Sequence, residues 1–314
     1  MFEEKKMTVA NFNVVFANEE LESPMLDYFE DILMPAMSAN IIQKKGDNEF
    51  LFHDVRVKKE SKGSYVLLGN IVKKTMLEIK SDLDNEGNLI EKDEHYSSAP
   101  YSMFVIYLTN HRMVLVENKK GSPTIASFRS LVKYVLNTYI KMANKNTEEE
   151  KLPKALVNIV GIPRIENIET ILKEAKKVTS LTLRFYPLNG DGDINLSGSF
   201  ALLSKESRQM VGAKTGGITY NSPKNIDGIL QIIDEANATV EPVLYVSYDG
   251  KSRTRVKESE ISENKIIKIN GDCGENEGYI IEEGRKIKSI NYQSQENSQI
   301  YDRNKSKILK FFKE

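Results

Sequence analysis

Two apolar runs separated by four polar residues constrain this chain most. Met103-Phe104-Val105-Ile106-Tyr107-Leu108 and Met113-Val114-Leu115-Val116 flank Thr109-Asn110-His111-Arg112. Short runs rich in β-branched and aromatic residues, closed by a polar turn, read as an antiparallel hairpin. At its tip His111 and Arg112 read as a solvated turn, or as an exposed pair contacting an anion. Further strand signals surround it. Phe12 to Phe16 is short and apolar, and Glu49 to Val57 alternates. Tyr65 to Lys80 carries Val66, Leu68, Ile71, Val72, Met76, Leu77 and Ile79 as one long, interrupted strand.

Helices are announced by a recurring dipeptide. Ser23-Pro24, Ser122-Pro123 and Ser222-Pro223 each precede residues of helical period, such as Ile125, Phe128, Leu131, Val132 and Val135. Serine caps a free first-turn N–H, and proline has no N–H to leave unpaired. In the second half, Ala155 to Val160, a helix over Ile165 to Val178 and Leu181 to Tyr186 form a β-α-β pattern. A helix follows near Phe200 to Met210. Val243 to Tyr248, Lys265 to Ile269 and Gly278 to Ile290 read as late strands, and a basic helix closes the chain near Ile300 to Lys313. The fold class expected is α+β: mixed, largely antiparallel sheets with hairpins and β-α-β elements, in two subdomains. The polar, proline-ended run Asn146 to Pro153 is the expected linker, with α+β domains at 1–145 and 154–314.

Composition narrows the function classes. The 314 residues carry 44 Lys/Arg and 45 Asp/Glu, a net charge of −1, which excludes a chain coated in positive charge. The single cysteine, Cys273, forbids an intrachain disulfide and fits a cytoplasmic setting. No run approaches the ~20 apolar residues of a membrane span, so no membrane partner is expected. Charge is uneven, however. Residues 285–314 hold eight basic residues against three acidic ones, with Tyr292, Tyr301, Phe311 and Phe312 among them. Arg285, Lys286, Lys288, Arg303, Lys305, Lys307 and Lys310 are therefore the candidate nucleic-acid contacts, following a phosphate backbone.

Catalytic signals are sparse. Leu77-Glu78-Ile79-Lys80 has the E-x-K spacing of metal-dependent nucleases, with Asp54 as an upstream ligand; Mg²⁺ would be the cofactor of that alternative, and none is expected otherwise. Glu and Lys are so common here that the spacing recurs by chance. Asp82 to Asp93 imitates a calcium loop, but ends in aspartate where a longer bidentate glutamate belongs and has strand-like rather than helical flanks; a polar hairpin tip is the expected reading. Asp191 and Asp193, in a glycine-rich loop after a strand, are candidate metal ligands. The three histidines lack zinc spacing.

Two stretches resemble an uncharacterised family of bacterial proteins found among mobile-element and anti-phage genes. One is Tyr101 to Leu108, continuing through His111-Arg112-Met113 to Gly121-Ser122-Pro123 and Phe128. The other is Leu181-Thr182-Leu183-Arg184-Phe185 followed by Pro187 and Asn189-Gly190-Asp191. The resemblance implies a defence or phage-related component and carries over no catalytic residue. The expected function is a non-enzymatic binding or sensor protein that contacts nucleic acid or a protein partner encoded nearby. The alternatives are a Mg²⁺-dependent phosphoryl-transfer enzyme and a phage-encoded protein-interaction inhibitor.

Overall fold

The computed structural model describes residues 2–18, 21–61, 63–145, 151–190, 207–208, 210–236 and 239–312. The fold is α+β, with two antiparallel sheets and seven α-helices among the described residues.

Strand β1 (Phe2–Ala17) is the spine of the larger, ten-stranded sheet. On one edge it pairs β8 (Arg112–Glu117), followed outward by β7 (Tyr101–Tyr107), β5 (Tyr65–Leu83), β4 (Asn48–Lys59) and β3 (Gln43–Lys45). The short β2 (Glu22–Pro24) follows β8 along that edge. On the other edge lie β9 (Lys154–Gly161), beside Ala10 to Ala17, and β14 (Asn264–Asn270), beside Phe2 to Thr8. The hairpin expected at 103–116 is β7–β8, paired from Ser102↔Glu117 to Tyr107↔Arg112.

Alternation explains why this sheet is buried on both faces. Phe12, Val14, Phe16, Phe104, Ile106 and Leu115 point to one side, where Phe128 of α2 (Ile125–Lys145) packs 5.1 Å from Phe104 and 6.1 Å from Phe12, centroid to centroid. Met7, Val9, Met103, Val105, Val114 and Val116 point to the other. They are covered by Ile280 and Ile281 of α6 (Glu277–Arg285) and by Ile287 and Ile290 after it. The chain then rounds the sheet. Helix α7 (Gln295–Leu309) delivers Ile300, Tyr301 and Ile308 to the α2 side.

Residues 163–262 leave and return at one point beside β1. Arg164 N–H donates to Ile261 O and Glu263 N–H to Ile162 O, each at 2.7 Å. Within the excursion β11 (Gly216–Asn221), β10 (Lys177–Phe185), β12 (Val240–Ser247) and β13 (Thr254–Arg255) form the second sheet. It packs on α3 (Ile165–Glu174), α4 (Ile226–Glu235) and α5 (Glu258–Ile261) through Ile168, Leu172, Leu183, Ile229, Leu244 and Ile261.

Several local expectations resolve differently. No β-α-β unit forms at 155–186, because β9 pairs β1 while β10 pairs β11 and β12. Gly278 to Arg285 is helical and Lys288 to Ile290 lies in a 3₁₀ turn, not a strand, and Ile280, Ile281, Ile287 and Ile290 seal one sheet face. The Ser-Pro pairs precede helices without capping them. Helix α4 starts at Ile226, where the Asn225 side chain accepts from Gly228 N–H, and Ser122 Oγ instead accepts from Lys119 N–H. After Ser23-Pro24 come a 3₁₀ turn, a π turn and the short α1 (Met34–Ser38). Of the expected linker, residues 146–150 lie outside the described residues; Lys154 already begins β9 in the N-terminal sheet. Most of the helix expected at 200–210 also lies outside them.

Candidate functional site

The C-terminal cations are the first candidate, and folding has assigned most of them. Arg285 forks onto Glu60, Nη2 at 2.6 Å and Nε at 2.8 Å, with its guanidinium 4.2 Å from the Tyr107 ring centroid. Glu60 is buried, so this pair is part of the interior. Lys286 pairs with Glu283, which also takes Lys265 at 2.7 Å; the two ammoniums hold the Glu283 carboxyl below the ordinary glutamate range. On α7, Arg303 forks onto Asp27 at 2.8 and 3.0 Å, Lys307 reaches Asp27 O at 2.5 Å, and Lys310 reaches Glu30 at 2.7 Å. Lys288 and Lys305 are exposed, and no ion pair forms at either among the described residues. The basic face of α7 is thus turned onto the acids that follow β2.

His111 and Arg112 are fully buried, which corrects the reading of a solvated, anion-contacting turn. The residues after α6 cover this turn. Asn110 Nδ2 donates to Ile290 O at 2.6 Å and Tyr292 O at 2.7 Å, and Arg112 lies 5.8 Å from the Tyr292 ring centroid. Beside it a cleft of about 1060 Å³ opens between the base of the excursion and the C-terminal segment. Lys265, Lys286, Lys288 and Arg164 line it together with Glu166, Asp234 and Glu263, so its charges nearly balance.

The proposed nuclease residues do not converge. Asp54 sits at a bulge of β4 with φ +53°, opposite Leu68 to Asn70, and pairs with Arg56. Glu78 lies eight residues beyond Asn70 along β5, roughly 25 Å away at a strand's rise. It pairs with its neighbour Lys80 at 3.1 Å. Asp191 and Asp193 lie outside the described residues. Among the described residues no group of three or more His, Cys, Asp or Glu is placed to hold a metal ion. Cys273 is buried against Ile267 and Ile269, and burial pushes its thiol up to about 12, which leaves it protonated.

The second candidate is where β5 outruns the sheet. Pairing with β4 ends at Lys74 and pairing with β7 at Val72. Beyond that, β5 pairs only β6 (Leu89–Ser98), forming a two-stranded ribbon about 30 Å long. Register assigns its faces. Leu77↔Tyr96, Ile79↔Glu94, Ser81↔Glu91 and Leu83↔Leu89 share one face; Met76↔Ser97, Glu78↔His95 and Asp82↔Ile90 share the other. The first face carries an apolar stripe that nothing covers: Leu77 is 54 % exposed, Leu83 62 %, Leu89 79 % and Tyr96 51 %. An ion pair of Lys92 with Asp82 (3.0 Å) braces the strands, and His95 Nε2 lies 3.1 Å from Asp93 within β6. The tip is the polar turn the calcium-like spacing also allowed: Asp84 accepts from Glu86 N–H and Asn88 N–H at 2.9 and 2.8 Å. Sequence reading found the long strand but not that its far end stands alone. The signal was available as strict alternation, Leu77-x-Ile79-x-Ser81-x-Leu83, running into an acidic turn.

The model of DUF4747, a domain of unknown function, matches residues 5–225. The chain belongs to this family. The DUF4747 match spans the ribbon and both stretches that suggested an uncharacterised family, whereas Arg285 to Lys310 lie beyond it. No curated relative matches the chain. No described helix is long and apolar enough to cross a membrane.

Proposed function

We propose that this DUF4747 protein is a non-enzymatic binding component that docks a partner protein of opposite charge through the distal β5–β6 ribbon. The observation that carries it is the uncovered apolar stripe of Leu77, Leu83, Leu89 and Tyr96. A two-stranded ribbon is marginal in water, and an exposed apolar face marks an interaction surface. Residues 75–98 hold seven carboxylates against two lysines, which repels a phosphate backbone and favours a basic protein surface. A bacterial anti-phage or phage-related setting is supported by the resemblance of residues 101–128 and 181–191. A cytoplasmic location is supported by the lone, buried, protonated cysteine.

The test places a photo-crosslinking residue at Leu83 in cells, identifies the adduct, and titrates the purified partner against the purified chain. Leu77→Ser/Leu83→Ser/Leu89→Ser is expected to weaken binding by about ten-fold or more. Unchanged affinity overturns the reading.

A second reading keeps nucleic acid as the ligand. It is supported by the cleft, where Lys286 and Lys288 flank Tyr292, whose backbone carbonyl is held by buried Asn110. Binding to single-stranded DNA or RNA that weakens with salt and is lost in Lys286→Glu/Lys288→Glu supports it; salt-insensitive or absent binding removes it.

A further inference from the structure

Two carboxylates interrupt the apolar stripe of the ribbon. Glu94 stands opposite Ile79 and Glu91 opposite Ser81, on the same face as Leu77, Leu83, Leu89 and Tyr96. The other five carboxylates of residues 75–98 lie on the opposite face, at the tip or at the irregularity between Glu91 and Glu94. Glu94 is held in place: the Tyr96 hydroxyl donates to it at 2.7 Å and Lys92 lies 3.5 Å away, and together they keep its carboxyl below the ordinary range. Glu91 is exposed and forms no ion pair among the described residues. Because of the irregularity between them, they stand opposite residues two apart on β5, a spacing of roughly 7 Å at a strand's rise.

We infer that Glu91 and Glu94 select the occupant of this face: a partner protein presenting two cationic side chains about 7 Å apart within an apolar surface, and not a second copy of this chain. The inference rests on the docking role proposed above and adds the partner's chemistry. Two ribbons packed face to face would set four carboxylates against one another inside an apolar interface. Unpaired charge is costly there, and like charges across an interface exclude the wrong partner. The two lysines of the ribbon cannot compensate. Lys92 is already shared by Asp82 and Glu94, and Lys80 pairs with Glu78 on the opposite face. A cationic partner satisfies both carboxylates while its apolar residues cover the leucines. Specificity then resides in Glu91 and Glu94, and most of the affinity in the stripe.

The experiment has two arms. Light scattering on the purified chain at high concentration is expected to show a monomer. A dimer that Leu83→Ser/Leu89→Ser dissociates overturns the inference in favour of self-association. The second arm uses the partner identified by crosslinking at Leu83. Glu91→Lys/Glu94→Lys is expected to weaken its binding by about ten-fold or more and remove most of the salt dependence, with the melting temperature unchanged. Glu91→Gln/Glu94→Gln gives a smaller loss. If the leucine variants abolish binding and the charge reversal does not, the docking role stands and this inference falls. If neither variant affects binding, both fall.

Discussion

The distal ribbon and the C-terminal segment are opposites. Both carry dense charge, and only the C-terminal segment drew attention as a binding element on composition. In the fold, its cations are largely spent: Arg285 on Glu60, Arg303 and Lys307 on Asp27, Lys310 on Glu30. Most of its apolar residues are buried too, on both faces of the large sheet, with Tyr292 and Leu309 the partly exposed exceptions. The ribbon pairs several of its charges locally, leaves Glu91 without an ion pair among the described residues, and leaves its apolar groups in water. A charge cluster therefore says little about function until its partners are known, because folding readily pairs it. An uncovered, regularly alternating apolar face says more, because nothing within the fold accounts for its exposure.

The largest effect that would sharpen this contrast is expected at Arg285. Arg285→Ala takes the guanidinium from the buried Glu60 carboxylate, a loss of about 3 kcal/mol, and lowers the thermal midpoint by roughly 5–10 °C. Calorimetry or circular dichroism checks this; an unchanged midpoint would return Arg285 to the pool of free cations. Next is excision of the ribbon. Replacing residues 76–97 with Asn-Gly joins Thr75 to Ser98, which already pair across the strands, through a two-residue turn. The midpoint should move by less than about 3 °C while partner binding disappears. Unfolding of the excised chain would break the comparison, by showing that the ribbon supports the body.

Acid titration separates the regions more finely. Lys265 and Lys286 depress the Glu283 carboxyl below its ordinary value of 4.5, so its contribution to stability is present above that value. The contribution is lost as pH falls through the lowered value in the folded state. Thermal melts from pH 7 to pH 3 should therefore show an acid limb that Glu283→Gln flattens. Glu94→Gln should leave that limb nearly unchanged, because its pairing with Lys92 is open to solvent and screened. The smallest effect is expected for Lys288→Ala and Lys305→Ala, within about 0.5 kcal/mol of the parent by urea denaturation.

Legibility followed the range of the interactions. The β7–β8 hairpin and α2 could be read directly, since a turn and a helical period are local. The nature of residues 278–290 could not. Ile280, Ile281 and Ile287 suit either period, and only the exposed apolar face of β1, β7 and β8 decides that a helix covers it. Asp54 and Glu78 looked compatible as a pair because the sequence does not show that β5 continues past the sheet. Likewise His111 and Arg112 sit in a tight turn, as expected, but under a segment nearly 180 residues downstream.

The sequence by itself determined the α+β class, the antiparallel hairpin, the long β5 and the amphipathic helices, because periodicity and turn chemistry act within a few residues. The tertiary structure alone decided that β9 and β14 flank one strand, that the C-terminal cations are paired, and that the far half of β5 projects with its leucines uncovered. Those outcomes depend on which surfaces meet across the chain: two segments with the same alternation can end up in a core or in water.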